Sequence, residues 1–306
     1  MDTRRCLLVD AFTDEPLSGN AAGVVPDADG LTEAQMQAIA RELSVSETAF
    51  IFSSDQADRC IRYFTPTQEV DLCGHATVAS HAHLLEAGLV DPGTHSLETN
   101  VGVLDIETVA DGIVWMTQRE PSIETVDIDS EELSAALGID RDALEEIGEE
   151  LPVARSSTGL PFLMVPVAFL SPLGAATPDM DAIEALSDRL DVAGIYAFTF
   201  DTLRADSTLH GRAFAPGSGI PEDPVTGTAS GACGAYLERF GALDSFAEDL
   251  QFEQGHFVDR PGRVRVQIGT DDTTGGTTVR VGGRAVTALD GSIAIPPLDA
   301  DEIIEV

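Results

Sequence analysis

The chain has 306 residues, with 53 acidic side chains against 17 basic ones and a formal net charge of −36. Such a balance repels nucleic acid and anionic membranes, no run of about eighteen apolar residues offers a membrane span, and 43% hydrophobic content argues for a folded core over a disordered polyanion. Every basic side chain is arginine, so the chain reads as a cytoplasmic protein of an extreme halophile, with an acidic mimic of DNA as the competing reading.

In chain order, "MDTRRCLLVDAF" lacks a small-residue cleavage site and reads as a first β-strand. "LTEAQMQAIAREL" (31–43) predicts a peripheral helix, with Thr32 and Gln35 at capping-box spacing. "TAFIF" (48–52) and "CIRYF" (60–64) are short strands rich in aromatic and branched residues. An alanine-rich helix follows from about Ala76 to Glu86, stopped by Gly88. "LDIETV" (104–109) and "GIVWMTQ" (112–118) add strands, and the acidic stretch 129–150 predicts a solvated outer element near a domain junction. A second alanine-rich helix runs from Ala229 to Phe240 and stops at Gly241; "RVRVQI" (263–268) and "TTVRVGG" (277–283) are further strands.

The two alanine-rich helices belong to a repeat. "GHATVASHAHLLEAG" (74–88) lies on "GTASGACGAYLERFG" (227–241) at an offset of 153, "RYFTP" (62–66) on "RAFAP" (212–216) at 150, and "AFIF" (49–52) on "AFTF" (197–200) at 148. Two related halves of about 150 residues follow, 1–122 and 123–306, with the residues after about 290 left open to a return to the first. So much small-residue helix surface predicts a curved sheet wrapped around each central helix, an α+β architecture.

Cys73, His75, His81 and His83 crowd into eleven positions, which raises the question of a metal. On a helix, His75 and His83 stand about 12 Å apart along the axis and His81 and His83 point to opposite sides, so no single ion collects the histidines. The second half replaces them with Thr228, Gly234 and Tyr236, and His81 and His83 read as packing or surface residues. What remains is the pair of helix starts, Gly74–His75 and Gly227–Thr228, whose free N–H groups suit a substrate carboxylate. Asp71 precedes one start and Asp223 the other, although a lone Asp-Pro is commonly just a turn.

Glu47, in "SVSETAFIF", shares a strand face with Ala49 and Ile51, and at the local offset its counterpart is Ile195. Burial of such a carboxylate would raise its pKa and make it a proton carrier; a strand-end glutamate turned to solvent is the bland alternative. Cys6, Cys60, Cys73 and Cys233 form no CxxC pair and read as reduced thiols.

"VDAFTDEPLSGNAAGVV", "SVSETAFIF", "RYFTPTQEVDLCGHAT", "FAPGSGIPEDPVTGTASGACGAYL" and "EQGHFVDRPGRV" together resemble the PhzF-like isomerases of the phenazine-biosynthesis family, from about residue 5 to 290. The resemblance implies a diaminopimelate-epimerase-like fold of two pseudo-symmetric domains. It makes Glu47 the catalytic acid/base and brings His75 and Asp223 to the substrate, with Gly74, Gly227 and Thr228 as binding contacts. Thr228 stands where serine is more usual. It implies no metal or organic cofactor, and a homodimer. The wider superfamily holds racemases with one thiol at each helix start; here Cys73 has Thr226 as its counterpart, so one of the two bases is missing.

The expected activity is therefore a cofactor-independent isomerase that moves a proton within a small carboxylated metabolite by one-base catalysis. A racemase using Cys73 with a partner such as Asp223, and a non-catalytic ligand-binding homologue, stand as alternatives.

Overall fold

The structure is a computed structural model describing residues 2–147, 151–243, 249–271 and 275–297. The end of the acidic stretch (148–150) and of the C-terminal segment (298–306) lie outside the described residues.

The first half supplies β1 (Thr3–Ala11), β2 (Asn20–Val25), α1 (Glu33–Leu43), β3 (Glu47–Phe52), β4 (Arg59–Phe64), β5 (Glu69–Val70), α2 (Gly74–Glu86), β6 (Gly93–Thr99), β7 (Gly102–Thr108), β8 (Val114–Thr117) and β9 (Ser122–Thr125). The second supplies α3 (Ser130–Leu137), α4 (Arg141–Glu145), β10 (Ala154–Ser157), β11 (Pro161–Pro166), α5 (Leu170–Ala175), α6 (Met180–Leu190), β12 (Ile195–Thr199), β13 (Leu209–Ala215), β14 (Ile220–Asp223), α7 (Gly227–Arg239), β15 (Leu250–Gln254), β16 (Gly262–Thr270), β17 (Thr277–Gly283) and β18 (Ala285–Ala294).

Strand pairing repeats in two series, β18–β1–β2–β3–β4–β6–β7–β8 and β9–β10–β11–β12–β13–β15–β16–β17. β8 pairs with β17 where the series meet. β9, which follows β8 in the chain, completes the sheet around α7, and β18, which follows β17, completes the one around α2. Most pairs are antiparallel; β2–β3, β4–β6, β11–β12 and β13–β15 are parallel.

The two central helices sit in one continuous core with the inner sheet faces. Their small residues are a steric requirement: a β-carbon on Gly234 of α7 would meet Val266 Cγ1 at 2.6 Å. Gly88 and Gly241, at φ +66° and +61°, end the helices in the left-handed conformation, as their spacing predicts. The Thr32–Gln35 capping box is present on α1. On the outer face of the first sheet, α1 packs Met36 and Ile39 against Phe50 and Phe64. The acidic stretch is outer, as expected, but not solvated throughout: Leu133 and Leu137 of α3 pack with Ile183, Ile195 and Phe214. No helix among the described residues is long and apolar enough to cross a membrane.

The structure corrects one register of the repeat. Arg62 and Arg212 match: each lies over a phenylalanine two residues on, Phe64 at 5.3 Å and Phe214 at 4.9 Å, and each pairs with a glutamate, Glu69 and Glu222. Phe64 then faces Thr48 and Phe214 faces Ile195, which sets β3 against β12 at an offset of 147, not 148. Ala49 accordingly lies on the inner face, whereas Ala197 lies on the outer one. The likeness of "AFIF" to "AFTF" is one residue out of step, which inverts every side chain of a strand. The counterpart of Glu47 is therefore Gly194, not Ile195.

Candidate active site

Glu47 opens β3 directly after the turn that ends α1 in left-handed Ser44 (φ +52°). Parallel pairing with β2 sets Glu47 opposite Ala22, near Asn20 at the start of that strand. The side chain is 17% exposed, and its Oε2 lies 3.4 Å from His75 Nε2. That oxygen is buried and has no hydrogen-bond partner among the described residues.

His75 is the second residue of α2, and Cys73 is its N-cap, with no side-chain capping bond. The imidazole touches Ser46 Oγ at 3.3 Å through Nε2 and Cys73 Sγ at 3.4 Å through Nδ1. Ligand atoms of Glu47, Cys73 and His75 all lie within 4.8 Å of one another. Helix spacing among the histidines does not reveal this set, because Glu47 reaches it from β3. Burial holds the Cys73 thiol well above its ordinary pKa, and the Glu47 carboxylate beside it adds to that. A metal at these atoms would have to displace the thiol proton first.

Asp223 ends β14, opposite Ala213 of β13. Its Oδ1 accepts from Asn20 Nδ2 at 2.8 Å and its Oδ2 from Thr226 Oγ1 at 2.5 Å. Gln254 Nε2 donates to the Asp223 carbonyl at 2.7 Å and to Thr226 Oγ1 at 3.1 Å. Burial pushes the Asp223 carboxyl up; His75 and the Thr226 bond oppose this, Glu47 reinforces it, and the Asn20 bond opposes it. Glu47 and His75 are thus both electrostatic neighbours of Asp223, and the three predicted groups converge.

Glu47 and Asp223 share the wall of a cavity of about 590 Å³ with Asn20, Ser46 and Arg260. Gly74, Gly227 and Thr228 line a second cavity of about 440 Å³, with Val78, Met116 and the exposed Arg119. His75 joins the two, adjacent to Gly74 in the chain and in contact with Glu47. The predicted set thus divides into a carboxylate cavity and a helix-start cavity. Both lie within the size range of small-metabolite sites. His81 and His83 are buried in α2, with His81 Nδ1 3.0 Å from the Thr77 carbonyl, and touch neither cavity.

Sequence reasoning passed over Asn20, Ser46 and Gln254. All three stand within or beside the quoted motifs, but only long-range contact reveals their role. Thr226, the counterpart of Cys73 in the repeat, is a donor to Asp223.

Comparison with known proteins gives the same frame. A family described as phenazine biosynthesis-like protein matches residues 9–291. An uncharacterized isomerase of Bacillus subtilis is 40% identical over 293 residues, covering 94% of this chain and 97% of its own. The trans-2,3-dihydro-3-hydroxyanthranilate isomerase of Pseudomonas chlororaphis is 30% identical over 300 residues, with 94% and 99% covered. The crystal structure of a Bacillus anthracis phenazine biosynthesis protein of the PhzF family superposes with a TM-score of 0.89 at 34% identity, over 96% of this chain and 100% of that one.

Proposed function

The chain belongs to the phenazine biosynthesis-like protein family, and from that premise we propose that it is an isomerase moving a proton within a small carboxylated metabolite, with Glu47 as the single base and no cofactor. The observation that carries this reading is the placement of the Glu47 carboxylate, 3.4 Å from His75, against the Cys73 thiol and in one cavity with Asp223. A carboxylate so placed is available to take a proton from carbon and return it elsewhere on the same face of the substrate. Asp223, held in place by Asn20 and Thr226, orients a polar group of the substrate. His75 stands beside Glu47 and is an electrostatic neighbour of Asp223. The N–H groups at the starts of α2 and α7, with Arg119, receive the substrate carboxylate and the negative charge that develops on proton removal.

Cys73 fits less well as a base, because its thiol is held protonated and Thr226 stands at the matching place in the other half. Deuterium incorporation from heavy water, followed by NMR, tests the assignment. The panel of small carboxylates includes trans-2,3-dihydro-3-hydroxyanthranilate, the compound named for the Pseudomonas relative. Wild-type protein is expected to exchange or rearrange one member. Glu47→Gln, folded, is expected to lose at least about 100-fold, the lower end of what a general base contributes. Full activity in that variant overturns the assignment. The assay belongs in concentrated potassium chloride, since we read the lysine-free acidic surface as built for a saline cytoplasm; wild-type protein that unfolds as salt is raised contradicts that setting.

A further inference from the structure

Two of the motifs that carry the family resemblance, "VDAFTDEPLSGNAAGVV" and "EQGHFVDRPGRV", meet in a clamp between the halves to which the proposed reaction assigns no part. Asp10, in β1, is buried although charged, at 2% exposure. Arg260, between β15 and β16, reaches it across the halves. Its Nη2 donates to Asp10 Oδ1 at 2.6 Å and to the Ser18 carbonyl at 2.8 Å, and its Nε donates to the Gly19 carbonyl at 2.9 Å.

The other oxygen of Asp10 accepts from the Leu17 N–H at 2.6 Å. Leu17 lies in the left-handed region at φ +65° and is 73% exposed, so this bond, and not packing, holds a conformation that a bulky side chain rarely adopts. Gly19 donates its N–H to the Pro261 carbonyl at 2.9 Å, and a β-carbon there would meet the Ala11 carbonyl oxygen at 2.2 Å. Residues 17–19 are thus held from both halves at once. The next residue is Asn20, whose Nδ2 donates to Asp223 Oδ1 at 2.8 Å and to the Val225 carbonyl at 2.9 Å. Arg260, Asn20 and Asp223 all line the cavity of Glu47.

We propose that Arg260 is a positioning residue for the reaction: it fixes residues 17–19 against Asp10, so that Asn20 meets Asp223 and holds the carboxylate that orients the substrate. The planar guanidinium fork suits this task, because it sets two successive carbonyls and one carboxylate in a single fixed geometry, which a lysine ammonium cannot. A buried pair of this kind adds little net stability over an apolar one, and its use here is geometric. The consequence for turnover rests on the proton-transfer reading above; the clamp itself does not.

NMR titration of the Asp223 carboxyl in the full chain needs no turnover and tests the clamp directly. Glu47, His75 and Cys73 are the titratable groups that act on Asp223, and none of them changes in the variants. Arg260→Lys keeps the charge and loses the fork. It is expected to move the Asp223 titration to higher pH, as Asn20→Leu does, and to move it no further in the Asn20→Leu background. Proton exchange is expected to fall by about 100-fold in each single variant and by no more in the double one. In the wild-type protein, whether or not the variants fold, the Arg260 Nε–H and Asn20 side-chain amide signals are expected to shift together as Asp223 titrates. An unmoved titration in folded Arg260→Lys, additive effects in the double variant, or an Arg260 signal that does not follow Asp223 each overturns the proposal. Full activity in Glu47→Gln beside the expected titrations overturns the reaction and upholds the clamp.

Discussion

Replacing Cys73 by alanine separates one-base from two-base chemistry. The thiol is 7% exposed, 3.4 Å from His75 Nδ1 and against the Glu47 carboxylate. A thiol at its ordinary value of 9.0 is about 1% ionised at pH 7, which sets a handicap of roughly 2.7 kcal/mol on any mechanism that needs the thiolate. Burial moves the group further in the same direction and Glu47 adds to it, so the handicap here is larger. A dispensable thiol leaves proton exchange within about tenfold of wild type after truncation, and the loss of one buried sulfur costs about 1 kcal/mol of stability. The assay is solvent deuterium incorporation, with circular dichroism to confirm folding and mass spectrometry to follow iodoacetamide labelling of Cys73 in the native protein. Slow labelling without loss of activity is expected. A fall of 100-fold or more in a folded Cys73→Ala protein, or rapid labelling that substrate blocks, refutes the reasoning and restores the thiol racemase.

Two further predictions follow from the groups around the site. Asn20→Leu removes one of the bonds that favour ionised Asp223, so the carboxyl moves further up and the limb of the pH–rate profile that it governs shifts to higher pH; an unmoved profile refutes the link. Glu253 is fully buried; burial pushes it up, but His210 and the N–H groups of Leu203 and Arg204 outweigh this and bring it from 4.5 down to about 2. A carboxylate lowered on folding stabilises above its unfolded pKa and loses that contribution as pH falls through the folded one. Glu253→Gln is therefore expected to lower unfolding free energy by about 3 kcal/mol at pH 7, a deficit that shrinks between pH 4.5 and 2. Urea denaturation at both ends of that range measures it, and a deficit independent of pH contradicts the cause.

Legibility in the sequence followed the range of the interactions. Local ones were readable: the capping box at Thr32 and Gln35, the left-handed stops at Gly88 and Gly241, and the small residues of α2 and α7. The convergence of Glu47, His75 and Asp223 came from the family resemblance and the repeat together, not from spacing. Contacts made over long separations left no trace. Asn20 and Asp223 are 203 positions apart, and nothing near either marks the bond. The exchange of β9 and β18 between the two sheets is only partly legible: the sequence leaves a return of the residues after about 290 open, whereas each strand's pairing with the first strand of the other series is set by long-range contact. The one-residue error between β3 and β12 shows a different limit. Similar letters on a strand fix composition, whereas facing is set by the partner strand.

With the register corrected, the division of labour between the halves becomes specific. Tyr63 faces Val70 where Ala213 faces Asp223, so Val70 is the counterpart of Asp223, just as Gly194 is the counterpart of Glu47. Each half carries one carboxylate where the other has an aliphatic residue or no side chain. The helix N-caps diverge in the same sense, Cys73 in one and Thr226 in the other, and Thr226 is bound to Asp223. A duplicated scaffold with two equal bases would suit inversion at a single carbon, with a proton removed from one face and delivered to the other. Two unlike carboxylates, one beside His75 and Cys73 and one bonded to Asn20 and Thr226, suit a different task. In the proposed reaction Glu47 moves the proton while Asp223, held by its two bonds, orients the substrate. That asymmetry, more than any single residue, is the physical argument for transfer along one face over stereoinversion.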